Sequence, residues 1–116
     1  MSQFKKKYPF DKRKEEASRI TKKYTDRIPV IIDVIEKNTK DLHLDKFKYL
    51  VSHDLTVGQF LYVIRNRIKL EPEKAVFILF NNKCLPTSEI IGNIYKTNKD
   101  SDGFLYAMIS LENTFG

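Results

Sequence analysis

The chain has 116 residues, 41% apolar and 31% charged, with a net charge of +6. That length suits one domain with one core, and the longest clean apolar run, Ala75 to Phe80, falls well short of the roughly 20 residues a membrane span needs. A single cysteine, Cys84, excludes an internal disulfide and agrees with a reducing compartment. Residues 1–27 hold ten Lys/Arg and four Asp/Glu, so the whole basic excess belongs to the N-terminal segment. Such a segment suits an acidic protein surface, an anionic membrane or nucleic acid, or simply forms a solvated helix face. The opening MSQFKKKYPFDKRK has no apolar run behind it and does not read as a secretory signal or an anchor.

Residues 1–25 are expected to form a helical subdomain of two helices, broken at Tyr8-Pro9-Phe10-Asp11 because proline disfavours helix in the residue before it. Asp11 is the expected cap of the second helix, whose Ala17, Ile20 and Tyr24 fall at helical spacing. Residues 26–116 change period. Arg27 to Ile35 is a β-branched strand with Pro29 near its start, where a proline is tolerated. A polar loop follows. Lys46 to Ser52 alternates, placing Phe47, Tyr49 and Val51 on one face and Lys48, Leu50 and Ser52 on the other. Thr56 and Gln59 have capping-box spacing ahead of a helix whose stripe is Val57, Phe60/Leu61, Ile64 and Ile68. Ala75 to Phe80 is the third strand, turned by Asn81-Asn82. Ser88 to Lys96 is a short helix, and Gly103 to Ser110 is the last strand.

The order from residue 27 is therefore β-β-α-β-α-β. The expected fold is α+β, a ubiquitin-like β-grasp: a mixed four-stranded sheet around a central helix, preceded by two N-terminal helices, in one compact unit. No catalytic or metal site is expected. His43 and His53 lie ten residues apart and not at ligand spacing with Cys84. Asp54 reads as a turn residue. Cys84 reads as a half-buried turn residue rather than an activated thiol. Gly58, Gly92, Gly103 and Gly116 are scattered and form no phosphate loop. No aromatic platform interleaves with the basic residues, so no nucleic-acid partner is expected. The chain reads as a binding module or modifier, not an enzyme, with no cofactor.

SLENTFG closes the sequence. A terminal glycine fits where a Cβ would clash, and a mobile end can be threaded into another protein's active site. Together with YPFDKRKEEASRI, KYTDRIPVI, KFKYLVSHDLTVGQF, IRNRI, EPEKAVFILFNN and DGFLY, this end resembles the autophagy ubiquitin-like modifiers, the family of GABARAP and microtubule-associated light chain three. The resemblance spans essentially the whole chain. It departs at Ser52 and His53, where a proline and a small residue are usual, and at Thr25 and Cys84.

The resemblance implies conjugation of Gly116 to phosphatidylethanolamine in autophagosome formation, with Phe115 recognised by the conjugation enzymes. It leaves open whether Gly116 is encoded last or exposed by trimming. Implied partners are activating and conjugating enzymes, a processing and deconjugating cysteine protease, and cargo receptors with aromatic-x-x-aliphatic motifs. The implied aromatic pocket is Glu16, Ile20, Pro29, Lys48, Leu50 and Phe104. The implied aliphatic pocket is Tyr49, Val51, Leu55, Phe60 and Val63. Arg27, Lys46, Lys48 and Arg67 would meet acids of the ligand. The implied location is the cytoplasm, the autophagosome membrane after lipidation, and the vacuole or lysosome on delivery. The rival expectation is an unconjugated vesicle-trafficking adaptor that binds tubulin or anionic membranes through its basic helices.

Overall fold

A computed structural model of the chain describes residues 2–35, 44–68 and 75–111. Eight elements follow in chain order: α1 (Gln3–Lys7), α2 (Phe10–Lys23), β1 (Arg27–Val34), β2 (Lys48–Ser52), α3 (Val57–Ile68), β3 (Phe77–Phe80), α4 (Ile91–Asn98) and β4 (Leu105–Ser110). The sheet order is β2-β1-β4-β3. Central β1 and β4 run parallel, while β2 and β3 pair antiparallel at the two edges. This is the expected β-grasp.

Why β1 lacks the alternation of an ordinary surface strand follows from its position. It is covered on both faces, and such strands read as continuous β-branched runs. Ile28, Val30 and Ile32 face a large core with Phe60 and Ile64 of α3, Leu105, Ala107 and Ile109 of β4, and Ile78 and Phe80 of β3. Ile31 faces the other way, into a smaller cluster with Phe4 of α1, Ala17 of α2 and Phe104. The N-terminal helices thus supply the second layer. Fully burying side chains of this size stabilises a fold by about 1.5–3 kcal/mol each.

Local signals explain the element ends. The Thr56 hydroxyl accepts the Gln59 N–H at 3.1 Å, and the Gln59 side chain accepts the Thr56 N–H at 2.9 Å, so the capping box is complete. Asn81 and Asn82 adopt φ of 49° and 63°, a conformation asparagine tolerates, while Phe80 and Lys83 exchange two backbone hydrogen bonds of 2.9 Å.

Three expectations need correction. Asp11 does not cap α2: Pro9 occupies the cap position without a side-chain bond, and Asp11 lies in the first turn. The proline has already fixed the extended entry of the chain, so the helix starts two residues earlier. Phe47 does not join Tyr49 and Val51 in the core. It precedes the strand, is 48% exposed, and its ring lies 6.1 Å from that of Phe4. The Phe47 carbonyl still accepts the Ile32 N–H at 2.7 Å, so the backbone bonding to β1 runs one residue beyond the side-chain alternation. Cys84 is exposed rather than half-buried, because the loop after the Asn81-Asn82 turn runs along the outside.

Gly92 marks a close approach. A Cβ there would sit 2.6 Å from the carbonyl oxygen of His53, which also accepts the Gly92 N–H at 2.9 Å. Gly92→Ala is expected to push the turn after β2 away from α4 and cost about 1–3 kcal/mol in urea unfolding.

Candidate functional site

The β2 strand is paired with β1 on one side only, and among the described residues no strand pairs with its other edge. A free edge of this kind can accept an extended peptide as an added strand. Pleating then divides its side chains between two flanks.

On the outer flank, Lys48 lies opposite Ile31 and Leu50 opposite Pro29 in the β1–β2 register. The Lys48 ammonium is ion-paired with Glu16 of α2. It also stands 5.3 Å from the centroid of the Phe4 ring. Ile20 packs, partly buried, against the cluster containing Phe104. Leu50 is half-buried, whereas Phe104 has no exposed surface. The six residues of the expected aromatic pocket therefore occupy the outer face between α2 and the sheet, with Phe104 as a buried support beneath it.

On the inner flank, Tyr49 and Val51 are buried, and the Tyr49 ring meets that of Phe60 edge-on at 5.6 Å. Phe60 is wholly core. Leu55 packs partly buried against the same core, and Val63, about one turn beyond Phe60, is 42% exposed. A ligand side chain arriving at this flank would first meet Leu55 and Val63. Of the expected cations, Arg27 and Lys46 are exposed. Lys46 stands 5.0 Å from the Tyr49 ring centroid, and Arg67 pairs with Asp45 at 3.4 Å. Phe115 and Gly116 lie outside the described residues.

The support beneath the outer flank involves residues the sequence reading did not single out. Asp102 is 1% exposed. One of its carboxylate oxygens accepts the Phe104 N–H at 2.8 Å. The other accepts both Arg13 Nη1 and the Tyr106 hydroxyl at 2.5 Å. Asp100, next to it in the same loop, accepts the Lys5 ammonium at 2.5 Å and the Asp102 N–H at 3.1 Å. Two acids two residues apart thus tie α1 and α2 to the segment that presents Phe104. A signal was available in α2: Arg13 lies one turn before Ala17 on its apolar stripe, where a cation needs a buried partner.

Titration of this loop gives a prediction. Burial and the hydrogen bond to Asp102 raise the Tyr106 hydroxyl well above the ordinary tyrosine value. The folded state holds that proton more tightly, so the associated stability is present below about pH 10 and lost as pH rises through the folded-state value. Burial disfavours the Asp100 carboxylate, but Lys5 and the Asp102 N–H outweigh it and hold the group below its usual value. Its contribution is present above about pH 4 and lost as pH falls through the folded-state value. Urea midpoints are expected to fall on both sides of a neutral plateau. In Lys5→Gln the acid limb should flatten, and in Tyr106→Phe the alkaline limb should.

Among the described residues no group of His, Cys, Asp and Glu could hold a metal ion, and no helix is long and apolar enough to cross a membrane. His53 Nδ1 meets Asp54 at 3.2 Å in an exposed turn.

Comparison with known proteins agrees with this architecture. The family model described as "Autophagy protein Atg8 ubiquitin like" matches residues 12–116. The autophagy-related protein 8 of Neurospora crassa is 57% identical over 115 residues, covering 99% of this chain and 94% of that one. The protein of the same name from Aspergillus niger is also 57% identical, with 99% and 97% covered. The crystal structure of Trypanosoma brucei ATG8 superposes with a TM-score of 0.90 at 41% identity, covering 100% of this chain and 99% of that one. With its β-grasp, its two N-terminal helices and these matches along nearly its full length, the chain belongs to the Atg8 ubiquitin-like family of autophagy proteins.

Proposed function

We propose that this protein is a modifier rather than an enzyme, conjugated through the Gly116 carboxylate to the amine of phosphatidylethanolamine, and that on the membrane it recruits cargo receptors along the β2 edge. The family match running through residue 116 carries the conjugation half of this reading. The free β2 edge, with Leu50 on one flank and Leu55 and Val63 on the other, supports the recruitment half. Its partners are the activating and conjugating enzymes, the deconjugating cysteine protease, and receptors with aromatic-x-x-aliphatic motifs. Its locations are the cytoplasm and the autophagosome membrane, then the vacuole or lysosome on delivery.

Membrane attachment by this route is energetically sound. A buried CH₂ contributes about 0.8 kcal/mol, so a single myristoyl-sized chain holds only marginally. The two acyl chains of phosphatidylethanolamine hold firmly without an apolar anchor from the protein. Reconstitution with the cognate enzymes, ATP and phosphatidylethanolamine liposomes is expected to yield protein heavier by one lipid less one water, with the linkage mapping to Gly116. Absence of that species, with enzymes proven active on another substrate of the same family, would sink the proposal.

A second reading is favoured by the exposure of Lys6, Lys7, Lys12, Lys22 and Lys23 on α1 and α2. It makes the chain an unconjugated trafficking adaptor for tubulin or anionic membranes. Salt-sensitive binding that persists without Gly116 would favour it.

A further inference from the structure

The α2–α4 side of the molecule carries a groove that the β2 edge does not use. Two depressions, of about 590 and 220 Å³, share Thr21, Tyr95 and Lys99 and so form one continuous furrow. Lys14 lines one part, and Arg27 and Lys96 line the other. All four cations, Lys14, Arg27, Lys96 and Lys99, are exposed, and among the described residues none has a carboxylate partner within ion-pair distance. Among the described residues, two acids line the furrow. Asp102 is buried and satisfied by Arg13 and Tyr106, and Asp54 is exposed beside His53. Only Arg27 is common to this set and to the cations expected at the peptide edge.

This distribution has a definite chemical meaning. The cations are spread along a furrow rather than converging on one point, as a single phosphate would require. Lys96 comes from α4 and Lys99 from its C-cap, both far in sequence from the basic N-terminal run, so the cluster is assembled by the fold. The floor offers Thr21 and Asn93 beside the carbon faces of Ile28 and Ile90. An extended chain with repeated carboxylates could set a charge against Lys14 in one part of the furrow and against Arg27 and Lys96 in the other.

We propose that the furrow between α2 and α4 is a docking groove for an extended acidic segment of a partner protein, separate from the β2 edge. The proposal does not rest on conjugation at Gly116. Complementary charge here accelerates encounter and sets orientation more than it adds affinity. Binding is therefore expected to be weak alone and to weaken further with salt, since exposed charges are screened over roughly 10 Å at 0.1 M.

The test is titration of the ¹⁵N-labelled full chain with a peptide of glutamate and glycine only, which has no aromatic residue to engage the β2 edge. Amide shifts are expected to gather at Thr21, Thr25, Asn93, Lys96 and Lys99. Lys96→Glu with Lys99→Glu should weaken binding about tenfold, and the milder Lys96→Gln with Lys99→Gln about threefold. Lys83→Glu, an exposed reversal outside the groove, should change it less than about twofold. Shifts spread evenly over all lysines, or equal effects of Lys83→Glu and Lys96→Glu measured singly, would overturn the proposal in favour of net charge alone. Phosphatidylserine vesicles that need Lys96 and Lys99, with no peptide binding, would overturn it in favour of a membrane face.

Discussion

Asp102→Ala is expected to lower the free energy of unfolding by about 3–5 kcal/mol, the usual cost of removing one partner from a buried ion pair. The carboxylate is fully enclosed, and the Arg13 paired with it is only 9% accessible. Alanine would leave the Arg13 guanidinium buried without a counter-ion, with only neutral acceptors beside it among the described contacts: Tyr8 O, 3.0 Å from Nε, and the Tyr106 hydroxyl. It would also leave the Phe104 N–H and the Tyr106 hydroxyl without their acceptor. Each abandoned donor costs about 1–3 kcal/mol when it stays dry. Asp102→Asn should cost less, because its side-chain oxygen can still accept one of these bonds. Combining Asp102→Asn with Arg13→Met should recover part of the loss, since the stranded charge is gone. Urea midpoints at constant m-value measure all three. A loss under about 1 kcal/mol for the alanine variant would mean that water takes over the pair. The same substitution should weaken peptide binding at the outer flank, because Phe104 is held from beneath by this carboxylate.

The sequence showed most of the backbone and little of this network. Period-two alternation in Tyr49-Leu50-Val51 and period 3.6 in Val57, Phe60, Ile64 and Ile68 are local patterns, so they were legible. So were the capping box at Thr56 and the turn at Asn81-Asn82, each written in adjacent residues. Arg13 and Asp102 are 89 residues apart, and only the docking of α2 on the sheet brings them together. Phe60 illustrates a second limit. Its place on the apolar stripe was readable, but a core position and a pocket wall give the same period, and burial decides between them. Lys48 looked like a free cation awaiting a ligand. In the fold it is already paired with Glu16.

That pairing shapes the effect of Lys48→Ala with Leu50→Ala, expected to weaken aromatic-x-x-aliphatic peptides by about a hundredfold. Leu50 is half-buried in the free protein, so a docking aromatic ring would cover what remains of its apolar surface. Fully burying a leucine is worth about 1.5–3 kcal/mol, and the part still available here is nearer the lower end. Lys48, with 38% of its side chain accessible, adds about 1 kcal/mol or less through charge. Its loss does more than delete a cation. Glu16 would stand unpaired at the mouth of the outer flank and repel acids beside the ligand's aromatic residue. Phe4 would also lose the ammonium near its ring. Leu50→Ala alone should therefore keep the salt dependence of binding, and Lys48→Ala alone should flatten it. Both singles should retain lipid conjugation, since neither residue belongs to the tail. Calorimetric titration with a receptor peptide at two ionic strengths separates the terms. Unchanged affinity in the double variant would place the docking edge elsewhere and remove Glu16, Ile20 and Leu50 from the site.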